Sequence, residues 1–305
     1  MARTRPVFYA TLFTCTLNIT LNYLFIYGKL GIPAMGLLGA GWATLATEVL
    51  EMLGVGLYVF RAPTMKRYVM YFTQGAFSWA YFSKLLKIGI PIALHFAIEV
   101  AATAIIVPMM GWISVEAQAA YALVRSIINF GTVITWALAT AASILVGRQF
   151  GKRNVAALRK AGFTGFMVAG LIAFIISFMV VVIRRPILLL YGLEYRVLHL
   201  ASLFIVFAAV WNIFDSIYTV GMGVLRGIED TFTPFIVTTI NQWLIALPIS
   251  YVLAFYFSWG SEGIWVGNIV GFALSAIALL LRFHLKSHQL AWGSTQYPPV
   301  LLEKG

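Results

Sequence analysis

Eight apolar runs dominate the chain, at 7-27, 37-60, 86-108, 117-147, 156-183, 196-224, 233-257 and 263-283. Each is about 20 residues or longer, the length a helix needs to cross roughly 30 Å of hydrocarbon. A backbone in lipid must satisfy its own hydrogen bonds, and a helix does so within one segment. The expected fold class is therefore all-α, a polytopic membrane protein with eight transmembrane helices.

The composition agrees: 61% of residues are hydrophobic and 10% charged, where soluble domains carry about a quarter charged. A net charge of +11 raises the question of acidic partners, but the basic residues cluster between the apolar runs, as the positive-inside rule produces. The bilayer is the expected partner, and nucleic acid is not. Cys15 is the single cysteine, which excludes an internal disulfide and a CxxC site. Four scattered histidines make no HExxH, and no GxSxG or P-loop occurs, so nothing points to an enzyme. Arg3 and Arg5 before an apolar run mimic a signal peptide. The run is as long as a full span, however, and ends at Tyr27-Gly28-Lys29 without a small-residue cleavage site.

An even number of spans places both termini on one side. With the N-terminus inside, sixteen lysines and arginines fall on the cytoplasmic side and four, Lys29, Arg184, Arg185 and Arg196, on the outside. The expected orientation therefore has both termini cytoplasmic in the inner (plasma) membrane. The stretch 61-85 mixes basic residues with Tyr68, Tyr71, Phe72, Phe77, Trp79, Tyr81 and Phe82 and reads as an interfacial linker between two bundles, 1-60 and 86-285. Residues 286-305, with Pro298-Pro299, read as a disordered cytoplasmic tail. Pro6 and Tyr23, followed by Gly39-Ala-Gly-Trp42, are echoed by Pro234 and Tyr251, followed by Gly263-Ile-Trp265. The first two spans thus read as a repeat of the last two. A complete six-helix lobe would then be preceded by the last two helices of a sister lobe.

Glu99 lies in the middle of the third span, between Lys84 and Lys87 and the closing Pro108, too deep to snorkel out. A charged acid there costs roughly 2.5–3.5 kcal/mol. His95, Glu99 and Thr103 form one polar stripe at i, i+4 and i+8. Either the stripe is a structural carboxylate capped by His95 or a neighbouring helix, or it is an ion or proton site. Asp215 shares a face with Trp211, Asn212, Tyr218, Thr219 and Met222. A carboxylate framed by aromatic rings suits a small or an organic cation, or pairs with another helix. Arg125 lies on the polar face of the fourth span with Gln118, Asn129, Thr132, Trp136 and Ser143, and is a candidate to neutralise either acid. Asn241 and Gln242 offer neutral oxygens for sodium or an interhelical hydrogen bond. Gly223 to Gly227 and Gly267 to Gly271 have GxxxG spacing and read as helix packing. Arg226 and Asp230 are spaced to pair at i, i+4.

The chain resembles the multidrug and toxic compound extrusion (MATE) family. The residues that carry the resemblance are Asn22-Tyr-Leu-Phe-Ile-Tyr-Gly28 with Gly39-Ala-Gly-Trp-Ala-Thr44, Gly89-Ile-Pro91 leading to Glu99, Val146-Gly-Arg-Gln-Phe-Gly151 with Asn154, Gly223-Val-Leu-Arg-Gly227 with Asp230 and Pro234, and Gly263-Ile-Trp-Val-Gly267. Family members have twelve helices in two lobes, so the resemblance implies helices five to twelve, with missing N-terminal helices or a partner chain. It implies efflux of amphiphilic or cationic small molecules by antiport against H+ or Na+, with no further cofactor. The coupling acids would be Glu99, eight residues after Pro91, and Asp215, eight before Gly223, with sodium at both if sodium is the cation. His95, Thr103, Arg125, Asn129, Trp211, Tyr218, Asn241 and Gln242 would line the cavity. The alternatives are a lipid-linked oligosaccharide flippase of the same superfamily, whose cavity needs arginines for pyrophosphate, and a truncated product without transport of its own.

Overall fold

The computed structural model describes residues 5–29, 31, 33–62, 78–192 and 194–292. Among them eight helices are long and apolar enough to cross a membrane: α1 Arg5–Tyr27, α2 Gly36–Arg61, α3 Trp79–Ile113, α4 Val115–Gly151, α5 Val155–Val182, α7 Tyr195–Gly227, α8 Phe232–Tyr256 and α9 Ser261–Trp292. A short helix, α6 (Arg184–Leu189), joins α5 to α7. The chain divides into two compact units, Met1–Phe82 and Ser83–Gly305.

In the first unit α1 and α2 pack against each other through a ladder of polar side chains. Thr11 and Thr14 donate to the Glu51 carboxylate at 2.8 and 2.9 Å, Asn18 donates to Thr47 at 3.0 Å, and Asn22 to Asn18 at 2.9 Å. Glu51, which the hydropathy reading passed over, is thus held by two hydroxyls. Gly39 brings α2 against the end of α1: an added Cβ would lie 2.6 Å from the Phe25 carbonyl oxygen. Gly263 makes the same close approach between α9 and α8, where a Cβ would lie 2.6 Å from the Ala254 nitrogen.

In the second unit α7 is the central helix. It packs on α4, α5 and α9, and its buried side chains include Phe204, Ile205, Val220, Val224 and Leu225. The GxxxG glycines set these contacts. An added Cβ at Gly227 would come within 2.8 Å of the Ser143 carbonyl of α4, and Gly223 meets the Ala139 carbonyl more closely still. Gly267 and Gly271 do the same for α9 against Ser250 and Ala246 of α8. Polar pairs fix the register: Thr135 with Ser216 at 2.9 Å, and Asn212 donating to Ser177 at 3.1 Å. The surface of this unit is apolar, with Phe130 80% and Leu244 70% exposed, as a lipid-facing surface requires. α3 joins this packing. Its C-terminal half is buried in the same core through Ile106, Met109 and Met110, and Phe96 stacks on Trp136 of α4 at 5.2 Å.

Three expectations are corrected. Pro108 does not close the third span, because α3 continues to Ile113. A proline near the end of a membrane helix costs one hydrogen bond that its surroundings can make good. The last span does not end at 283, and residues 286–292 are not tail: α9 runs to Trp292. The apolar run fades there, but Phe283 fills the notch left by Gly162, Ser287 is fully buried, and Arg282 and Lys286 bind Asp230. Arg61 ends α2, and 79–85 open α3 rather than belonging to an interfacial linker. The remainder of that linker (63–77, with Tyr68, Tyr71, Phe72 and Phe77) and of the tail (293–305) lies outside the described residues.

α8 is the least regular span. Asn241–Ala246 and Val252–Tyr256 are π-helical, and Pro248, which cannot donate to Leu244, follows the first of these turns.

Candidate functional site

A cavity of about 530 Å³ lies between α3, α4 and α7. His95, Glu99 and Thr103 reach it from α3, Arg125, Asn129, Thr132, Trp136 and Thr140 from α4, and Trp211, Asp215, Tyr218, Thr219, Met222 and Arg226 from α7. Two carboxylates and two guanidiniums therefore face one mostly apolar space. The helical stripes explain the meeting. His95, Glu99 and Thr103 fall one turn apart on α3, as do Trp211, Asp215, Tyr218 and Met222 on α7.

The two acids differ in surroundings. His95 shares a hydrogen bond with the Tyr218 hydroxyl, and its Nε2 stands 3.9 Å from Glu99 Oε2. The ring is thereby held between α3 and α7, beside the carboxylate but not locked to it. Thr103 spends its hydroxyl on the Glu99 carbonyl at 3.1 Å. Asp215 is buried, on a wall made by Trp211 and Tyr218, both of which pack edge-on against Phe272 at 5.2 and 5.3 Å. On α4, Thr132 donates to the Asn129 carbonyl at 2.8 Å and to its Oδ1 at 3.0 Å.

Arg125 decides what the acids are free to do. Its guanidinium carbon lies 4.9 Å from the centroid of the Trp211 ring, a cation–π geometry. Among the described residues no ion pair joins Arg125 to Glu99 or Asp215. Both carboxylates thus line the cavity without a fixed guanidinium partner.

Asn241 does not line the cavity. α8 packs on α9, and Asn241 turns to it and donates to Ser275 at 3.2 Å. Gln242 reaches only a pocket of about 20 Å³ behind Glu99, shared with Thr103, Tyr121, Arg125, Trp265 and Asn268. Asn212, read on the Asp215 face, turns to Ser177 of α5 instead. Phe96, Thr140 and Arg226 belong to the cavity and were not singled out for it. Arg226 continues the Trp211, Asp215, Met222 stripe by one more turn, which was the available signal. The described residues hold no cluster of three or more His, Cys, Asp or Glu suited to a metal ion.

Arg226 and Asp230 do not pair. Gly227 ends α7, and the turn that follows, with Glu229 at φ +59°, breaks the i, i+4 geometry. Asp230 is held instead by Arg282 Nε at 2.9 Å and Lys286 Nζ at 3.0 Å, and Glu229 by Lys84 at 2.8 Å. Burial pushes the Asp230 carboxyl up, but the hydrogen bonds and charges of Lys286 and Arg282 outweigh it and hold the group below its ordinary value. A depressed folded-state value stabilises the fold above the unfolded one, near pH 4, and that contribution fades as pH falls through the folded value. Asp230→Asn is expected to lower stability by about 1–2 kcal/mol at pH 7, since both cations are partly exposed. Thermal unfolding in detergent at pH 7 and below pH 4 checks this: the gap between wild type and variant should close in acid.

The MatE family model matches residues 91–252, a stretch that holds every residue of the cavity named above. The chain belongs to the MATE family. This MATE chain is 33% identical over 293 residues to the multidrug resistance protein MdtK of Edwardsiella ictaluri, covering 95% of the chain and 64% of that protein. It is 33% identical to the probable multidrug resistance protein NorM of Mesorhizobium japonicum, over 87% of the chain and 58% of that protein. A crystal structure of a MATE protein in complex with MaD3S superposes with a TM-score of 0.83 at 20% identity, covering 93% of this chain and 62% of that one. The fold is thus that of a multi-pass membrane transporter family. The chain spans just under two thirds of the length of the curated relatives it matches.

Proposed function

We propose that the chain serves multidrug efflux by antiport, exchanging an organic cation in the cavity for H+ or Na+ bound at Glu99 and Asp215. The observation that carries the reading is the pair of carboxylates facing one aromatic-lined cavity while Arg125 is held on Trp211. Neutralising the acids by a proton or a sodium ion removes the charge that attracts an organic cation, so driver and drug compete for one space and each favours a different packing of the helices. Sodium would draw on the two carboxylates and the hydroxyls beside them. The basic residues would place both termini on the cytoplasmic side of the cell's inner membrane. Relatives named as multidrug resistance proteins support the substrate class.

The oligosaccharide flippase reading asks for a cavity of arginines. Arg125 and Arg226 do reach this one, but the two carboxylates beside them favour a cation over a pyrophosphate at the α3 end. Equilibrium dialysis of the purified chain against tetraphenylphosphonium separates the two. The antiport reading expects saturable binding, and binding of pyrophosphate but not of the cation would overturn it.

A further inference from the structure

Arg226 is the one cavity charge that antiport of a cation leaves without a role. Its guanidinium lines the cavity, and its Nε is buried with no hydrogen-bond partner among the described residues. The acids nearest in sequence are already taken, Glu229 by Lys84 and Asp230 by Arg282 and Lys286. Asp215 shares its face but lies just over three turns away along α7, about 16 Å of rise, and no ion pair joins it to Arg226 among the described residues. A buried guanidinium donor without an acceptor is costly, and its planar fork is shaped to take a carboxylate or phosphate. Along α7 between Asp215 and Arg226 the cavity is lined by Tyr218, bonded to His95, and by Thr219, Met222 and Gly223, and Phe96 stacked on Trp136 adds an aromatic wall.

We infer that the cavity is bipolar and that Arg226 is an anion subsite: the ligand it fits best carries a cationic group toward Glu99 and Asp215 and an acidic group at the far end. Arg226 thereby selects elongated zwitterionic amphiphiles over simple cations. This rests on the organic-cation reading above and adds the second charge to it.

The test compares two probes on the purified chain by equilibrium dialysis: a triphenylphosphonium joined by a long alkyl chain to a carboxylate, and its methyl ester. Wild type is expected to bind the acid about ten- to a hundredfold more tightly than the ester, the worth of a charge-assisted hydrogen bond. Arg226→Gln should erase that difference, so that acid and ester bind alike, and Arg226→Lys should keep part of it. Equal binding of acid and ester by wild type, or a preference that survives Arg226→Gln, overturns the inference while the cation reading stands. Should Arg226→Gln not fold, the wild-type ratio alone decides. Failure of wild type to bind even the ester strikes the cation reading itself, and the subsite falls with it.

Discussion

Glu99→Gln is expected to reduce gradient-driven exchange of tetraphenylphosphonium to the level of empty vesicles, with the protein still inserted and folded. The side chain keeps its size and hydrogen-bonding reach but can no longer gain or lose a proton or balance a sodium ion. Its neutral amide is easier to place in lipid than a carboxylate, whose cost at mid-span is roughly 2.5–3.5 kcal/mol, so insertion should not suffer. Without a charge to neutralise, the driving cation has no differential affinity for the two packings, and a ligand shifts an equilibrium only by such a difference. Flux into vesicles under an imposed pH or sodium gradient, with circular dichroism to show that the helices persist, checks the effect. Flux equal to wild type would remove Glu99 from the coupling.

The second large effect is expected from Trp211→Leu. The indole ring is what the Arg125 guanidinium lies against, at 4.9 Å, an attraction worth about 2 kcal/mol in a desolvated place. Leucine keeps most of the apolar volume against Phe272 but offers no π face, and the loss of packing should cost about 1–3 kcal/mol. The released guanidinium then has the carboxylates of the same cavity as partners. A fixed ion pair there would hold an acid charged at all times. The dependence of tetraphenylphosphonium binding on pH and sodium should therefore vanish in Trp211→Leu. It should return in the double variant with Arg125→Leu, which no general loss of stability would explain. Trp211→Phe, retaining a ring, should resemble wild type.

Sequence patterns showed the spans and most of the cavity for a physical reason. Lipid leaves a helix no other way to bury its backbone, so apolar length marks the elements, and a charge at depth marks a face turned from lipid. Glu99, Asp215 and Trp211 were legible on that ground. Ends were not: hydropathy fades at Arg282, yet α9 continues because Phe283 fills the Gly162 notch and Asp230 draws in Arg282 and Lys286. Arg226 was misread because i, i+4 spacing presumes a continuous helix, and Gly227 ends it. Of the two roles the sequence leaves open for Asn241, the structure shows the interhelical hydrogen bond, to Ser275 of α9, and hydropathy alone does not say which neighbour a polar face meets. Glu51 went unnoticed because no rule of spacing points to the hydroxyls of Thr11 and Thr14 on another helix.

The competition at the heart of this mechanism is tested most directly by the affinity of the purified chain for tetraphenylphosphonium across pH and sodium concentration. The expected result is that binding weakens as protons or sodium ions are added, and that the dependence is lost when Glu99 and Asp215 are both replaced by their amides. An affinity that stays constant across both titrations would contradict the shared site.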